Sequence, residues 1–286
     1  MTLVASIGAT CSHMSLFIDD HGQKHESAGS NARIVSLVPS ITELLFELGL
    51  EEEIVGRTGF CIHPKKKVKR VPKLGGTKDV DLKKLKALEP THVILNIDEN
   101  TLATFNLISK FVQNIIVTHP NAPEDNIKLY RLIGGVFNRS QMAESLVVQF
   151  EQKLLRLQLN QKHLPQRKIL YLIWKKPWMS VNRDTYIANM LKLINCRVVT
   201  YRCEARYPTC SLESLLSYET DMCLLSSEPY PFKSKHIVEL ESLLNLFDKV
   251  RLVDGEMFSW YGSRAILALD YLDSLNQDWL ARDTRL

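Results

Sequence analysis

Residues 33–50 read RIVSLVPSITELLFELGL, and this stretch decides the fold. Ile34-Val35-Ser36-Leu37-Val38 is a short apolar strand. Ser40-Ile41-Thr42-Glu43 follows with the spacing of a capping box, Leu44, Leu45, Phe46 and Leu48 recur with helical spacing, and Gly49 stops the helix. A strand feeding directly into a capped helix is one half of a βαβ unit.

The same grammar repeats downstream. Ile54-Val55-Gly56 is a strand, Asp81 caps a helix over Leu82 to Leu88, Pro90 breaks it, and His92 to Leu95 and Ile115 to Val117 are further strands. Strands alternating with helices imply a mainly parallel sheet. A helix from about Pro123 to Val136 ends this set, and Asn138 with Gln141 three residues on opens a long helix to about Lys162, with Met142, Leu146, Phe150, Leu154 and Leu157 on one face. At 1.5 Å per residue it would span roughly 35 Å and act as a strut, not a flexible linker. After Pro165 the alternation resumes, with strands at Ile169 to Trp174, Arg197 to Tyr201, Asp221 to Leu225 and Val250 to Val253. Helices are expected at Thr185 to Leu193, Leu212 to Leu216, Lys235 to Leu246 and Ser263 to Leu275.

The predicted organisation is therefore α/β: a polar leader over 1–32, an N-terminal Rossmann-like lobe over 33–137, a connecting backbone helix over 138–163 and a second α/β lobe over 164–286. The 286 residues are 45% hydrophobic and 24% charged, enough for two lobes of ordinary size. Thirty-six Lys and Arg against 32 Asp and Glu leave +4, with the charges interspersed, so nucleic-acid binding is not indicated. One basic run, Lys65-Lys66-Lys67-Val68-Lys69-Arg70, reads as a solvated face and receives no role. No stretch approaches the roughly 18 apolar residues of a membrane span, so the chain is not expected to be integral to a membrane. Met1 to Thr10 lacks a basic n-region, which favours a cytoplasmic place and mostly reduced, buried thiols for Cys11, Cys61, Cys196, Cys203, Cys210 and Cys223.

Three segments set polar, aromatic and small residues just after apolar strands, where open parallel sheets hold ligands. In the first, Cys61 and His63 are two apart, so an extended backbone points both to one face, as a soft-metal pair or a thiolate-imidazole dyad. In the second, Trp174, Lys175, Lys176 and Trp178 crowd one loop and suit a ligand with a flat face as well as they suit packing. In the third, Glu228, Tyr230, Glu256, Trp260, Tyr261 and Arg264 supply carboxylates, rings and a cation. The carboxylates are fit to hold a hard cation, to do acid-base work, or to cap the last helix and pair with Arg264. Nucleotide-binding, zincin and hydrolase signatures are absent from the sequence.

With RIVSLVPSITELLFELGL at 33–50, Val55-Gly56, Gly75-Gly76-Thr77 and DLKKLKALEP at 81–90, the chain resembles the helical-backbone metal-receptor superfamily. That superfamily includes the cobalamin and ferric-siderophore binding proteins. FCIHP at 60–64, LIWKKPWM at 172–179, DTYI at 184–187, LLSSEPYPFK at 224–233 and DGEMFSWYGSR at 254–264 look like one branch of it. The resemblance implies a non-enzymatic, rigid two-lobe receptor that closes little on a metal chelate or corrinoid and hands it to an ABC importer. It also implies a periplasmic place. Cys61, His63, Trp174, Lys176, Trp178, Glu228, Tyr230, Glu256, Trp260, Tyr261 and Arg264 would line the cleft, with Lys175, Lys176 and Arg264 meeting anionic groups. The importer-docking acids of the family align with Lys83 and Glu213, of which one is acidic. The rival readings are a metal- or thiol-dependent enzyme using Cys61 with His63 or Glu256, and a cytosolic metal-cofactor sensor or chaperone.

Overall fold

A computed structural model describes residues 16–161, 164–199 and 204–283. The chain enters through a two-stranded hairpin, β1 (Phe17–Ile18) and β2 (Lys24–His25). The N-terminal lobe then runs β3 (Ile34–Ser36), α1 (Pro39–Glu47), β4 (Ile54–Arg57), α2 (Leu82–Ala87), β5 (His92–Asn96), α3 (Leu102–Ile108), β6 (Asn114–Thr118) and α4 (Asp125–Val136). Its four strands are all parallel in the order β4-β3-β5-β6. Both central strands are buried throughout, as expected of a sheet covered on each face by helices.

The connecting helix α5 (Ser140–Gln161) has 22 residues, about 33 Å. Its inward face is Ala143, Val147, Phe150, Leu154 and Leu157, while Met142, placed on that face by the sequence pattern, is largely exposed. The C-terminal lobe comprises β7 (Arg167–Trp174), β8 (Trp178–Ser180), α6 (Tyr186–Lys192), β9 (Cys196–Val198), β10 (Thr209–Cys210), α7 (Leu212–Ser217), β11 (Met222–Ser226), α8 (Ser234–Leu244), β12 (Val250–Val253), α9 (Glu256–Ser259) and α10 (Arg264–Asp283). β9, β7, β11 and β12 are parallel. β8 and β10, however, add antiparallel strands where the sequence predicts a loop, because Trp178 to Ser180 folds back on the upper half of β7. The last helix lies along the strut, tied by Arg156 to Asp270, by Lys153 to the same carboxylate, and by Asn276 to the buried Gln161. One core cluster runs from α1 and α4 through the strut to α6 and α10, so the strut is welded to both lobes.

Local corrections have clear causes. Ser40 and Glu43 form no capping box: α1 starts at Pro39, behind Val38 and with no side-chain cap, and Glu43 is drawn to a partner in the other lobe. Asn138, at φ 57°, closes α4 in the left-handed region and donates to the Ala28 carbonyl; it does not open α5. Asp81 does cap α2, and Thr185, where the sequence starts a helix, is the cap of α6. Cys61, Cys196, Cys210 and Cys223 are buried; Cys11 and Cys203 lie outside the described residues, as does the Met1 to Thr10 stretch behind the localisation reading.

Residues 16–32 read in the sequence as a loosely attached leader, yet they pack on the N-terminal lobe. Asp20 donates its amide to the Val117 carbonyl and accepts from the His119 amide, so the hairpin covers the edge strand β6. Asp19, buried, accepts from the amides of His21, Gln23 and Val117 and from His25. Desolvation alone would raise its carboxyl, but hydrogen bonds from His25, Val117 and Gln23 outweigh it and hold it below the usual carboxylate value. Asp19→Asn is expected to cost about 2 kcal/mol, the worth of hydrogen bonds to a buried charge. The loss is full at neutral pH and shrinks as pH falls through the carboxylate range, because the wild type then loses the same charge; urea midpoints at pH 7 and pH 3 measure both.

Candidate ligand-binding cleft

The carboxyl ends of the parallel strands in the two lobes face one another, and loops from both meet there in a chain of polar contacts. After β4, Thr58 to Pro64 brings His63 forward. Its Nε2 lies 3.0 Å and 3.2 Å from the two oxygens of Glu256 at the start of α9. Glu256 also takes Arg264 Nη1 at 3.0 Å, and Arg264 grips Glu43 of α1 with Nε and Nη2 at 2.8 Å and 2.5 Å. The chain of groups thus crosses between lobes twice. Desolvation opposes the Arg264 charge, but the Glu43 hydrogen bonds and charge, with Glu256 and Asp254, more than offset it, so the guanidinium stays protonated.

Trp260 sits at the centre of this arrangement. Its ring meets His63 edge-on at 5.4 Å, lies 5.1 Å from the Arg264 guanidinium, and donates its N–H to Glu228 Oε1 at 2.8 Å. Ser259 donates to the same oxygen. Glu228 projects from the turn after β11, where a side chain at Gly255 would collide with Ser226 Oγ and Glu228 Cγ; only glycine lets the two loops approach so closely. Desolvation raises the Glu228 carboxyl, against the hydrogen bonds from Ser259 and Trp260.

A further crossing comes from the turn after β5. The Asn96 side chain accepts from the amides of Asp98 and Glu99, which fixes the turn. Asp98 then takes Arg206 at 2.8 Å and the Tyr207 hydroxyl at 3.2 Å, and Glu99 accepts from the Tyr261 hydroxyl at 3.0 Å. Desolvation pushes the Glu99 carboxyl up to about 7, with Glu228 and Asp98 adding to the rise. Also buried, Asn126 accepts from the Gly262 amide and donates to the Tyr186 hydroxyl, while Tyr130 donates to the Gly262 carbonyl.

The sequence profile of the periplasmic binding protein family matches residues 34–242. The chain belongs to that family. The chain is 19% identical over 274 residues to a vitamin B12-binding protein of Vibrio parahaemolyticus, covering 96% of the chain and 90% of the relative. An uncharacterised ABC transporter substrate-binding lipoprotein of Bacillus subtilis is 27% identical over 173 residues, 58% of the chain and 54% of that protein. Among solved structures, the periplasmic vitamin B12 binding protein of Vibrio cholerae superposes with a TM-score of 0.75 at 15% identity, covering 86% and 96% of the two chains. A periplasmic heme-binding protein of Roseiflexus superposes at 0.73 and 19% identity, covering 87% and 99%. At such identities the likeness carries the two-lobe fold.

Of the residues singled out in the sequence of this binding protein, His63, Glu228, Glu256, Trp260, Tyr261 and Arg264 meet between the lobes. Trp174, Tyr230 and Trp178 form a neighbouring cluster with Phe232 at the ends of β7 and β11, Trp174 and Tyr230 meeting edge-on at 5.6 Å and Trp178 stacking on Phe232. Lys175 is taken by Glu239 and lies over Trp178; Lys176 is exposed. Arg264, expected to meet an anionic group, is already held by two carboxylates.

Cys61 does not join His63. Its sulfur is fully buried between the hydroxyls of Thr42 and Thr58, because the Arg57 guanidinium gathers the Thr58 and Cys61 carbonyls and turns the loop inward at Cys61. Burial pushes the thiol up, the reverse of what a nucleophile or thiolate ligand needs. Among the described residues no group of three or more His, Cys, Asp or Glu is arranged to hold a metal ion. Sequence reasoning passed over Glu43, Asp98, Glu99 and Arg206. Asp98 and Glu99 stand just after an apolar strand, the position that drew attention in three other places.

Proposed function

We propose that this chain holds a metal chelate between its lobes for an ABC-type importer, and that the chelate is a corrinoid. The state of charge in the cleft carries the reading. Among the described residues Arg264 is consumed by Glu43 and Glu256, Arg206 by Asp98 and Lys175 by Glu239, and of the residues singled out only Lys176 is left as an exposed cation outside any ion pair, while the carboxyl groups of Glu228 and Glu256 stand half-buried between the loops. A heme with free propionates or an anionic siderophore needs an unpaired cation; a ring rimmed with carboxamides offers N–H donors to carboxylates instead. The half-buried His63 and Tyr230 rings and the exposed Trp174 ring are the flat surfaces for such a macrocycle. Entry requires the His63 to Glu256 bridge to part, a side-chain movement that leaves the welded strut in place. Both positions that the family resemblance marks for importer docking, Lys83 and Glu213, are exposed in the first turns of α2 and α7.

Titrating the purified chain with cyanocobalamin, hemin and a ferric chelate, followed by absorption and melting temperature, tests this. The corrinoid is expected to bind and stabilise, and Glu228→Gln to weaken it about tenfold, one lost hydrogen bond to a charged group. Preference for hemin, or no shift with any of the three, would sink the proposal.

A further inference from the structure

The basic run that received no role from sequence becomes, in the folded chain, part of a larger charged face. Residues 64–89 carry ten Lys and Arg against three Asp and Glu, a local charge of +7, whereas the rest of the chain, with 26 against 29, is at −3. This segment wraps the β4 edge of the N-terminal lobe, from the end of the His63 loop through the turn at Val68–Arg70 and the bridge of Gly75 with Val80 to α2. All ten cations are exposed. Lys67 pairs with Glu51, Lys84 with Asp81, and Lys86 lies over Phe111. Lys65, Lys66, Lys69, Arg70, Lys73, Lys78 and Lys83 make no ion pair among the described residues. Immediately beside them Phe60 and Ile62 are 61% and 46% exposed, and Phe60 leans on Gly76 of the next turn, so the apolar side chains belong to the same face.

We propose that this face docks the protein on an anionic lipid bilayer, the lysines meeting headgroup phosphates and Phe60 and Ile62 entering the interfacial layer. Two features favour lipid over an acidic protein or nucleic acid. Nine of the ten cations are lysine, a hydrated point charge on a flexible stem, whereas protein interfaces are depleted in lysine and bidentate phosphate recognition favours arginine. Exposed apolar side chains flanked by cations are what a membrane interface rewards and a solvated face does not. The proposal is independent of which ligand the cleft holds.

The test is co-flotation of the full chain with vesicles of phosphatidylglycerol and vesicles of phosphatidylcholine at low and high salt. Binding is expected to phosphatidylglycerol alone and to fall with salt as the Debye length contracts. Each surface cation contributes about 1 kcal/mol, or about fivefold, so the triple variant K65Q/K66Q/K69Q is expected to bind about a hundredfold more weakly with an unchanged melting temperature. F60S/I62S is expected to weaken binding while retaining its salt dependence. Absence of binding to phosphatidylglycerol, equal binding to both vesicles, indifference to the triple variant, or indifference to F60S/I62S combined with tighter binding to double-stranded DNA would each overturn the assignment.

Discussion

Arg264→Met is expected to lower the stability of the protein by about 3–5 kcal/mol, the cost of removing one partner from a buried ion pair and leaving the other charge uncompensated. Arg264 and Glu43 are 8% and 12% exposed at the side chain and joined by two hydrogen bonds, the geometry in which a charge pair is strongest. Methionine fills the volume of the aliphatic stem, so the loss isolates the charge. Glu43→Leu alone is expected to be milder, because Arg264 still has Glu256 at 3.0 Å. Combining the two should recover most of the loss, since neither member is then buried alone. Urea unfolding of the four proteins closes the cycle. A loss below about 1 kcal/mol for Arg264→Met would place the pair with ordinary surface bridges. The same substitution is expected to widen the gap between the lobes, which small-angle scattering reads.

That pair also shows where sequence reading stops. The βα units, the strut and the cap at Asp81 were legible because strand period, helix period and capping chemistry act over a few residues. Glu43 and Arg264 lie 221 positions apart, and His63 and Glu256 lie 193 apart, so no local pattern ties them. Glu43 instead looked like a helix cap, because Ser-Ile-Thr-Glu satisfies the spacing of a capping box whether or not the chain uses it. The attachment of the entry hairpin escaped for a related reason. Its strands are two residues each, too short for periodicity, and its attachment rests on the Asp19 carboxylate accepting from β6 across 98 positions. The cleft residues were found by a positional rule, polar and aromatic side chains following apolar strands. The rule gathers side chains from the ends of β4, β11 and β12 because strand ends converge between the lobes, and it misplaces Cys61 because the loop turns inward at that residue.

The stability of the protein is expected to fall as pH rises from about 4.5 to about 7, with Glu99 as the main cause. In the unfolded chain this carboxyl loses its proton near 4.5; in the folded protein desolvation between the lobes, reinforced by Glu228 and Asp98, moves the loss up to about 7. Through that window the folded state holds a proton that the unfolded state has released, so unfolding becomes easier as pH rises, and the slope vanishes on either side. A displacement from about 4.5 to about 7 corresponds to about 3 kcal/mol. Asp19, held low, acts at more acid pH with the opposite sign, so the two contributions separate along the pH axis. Glu99→Gln keeps an oxygen for the Tyr261 hydroxyl at 3.0 Å and has no proton to lose. The variant is expected to match the wild type below pH 4.5 and to exceed it by about 3 kcal/mol above pH 7.5, in urea titrations at closely spaced pH values. Parallel pH profiles for the two proteins would show that Glu99 titrates as an ordinary surface acid and that the lobes do not exclude water at that point. An upward profile in the wild type would instead assign the dominant proton to a group held low, as Asp19 is.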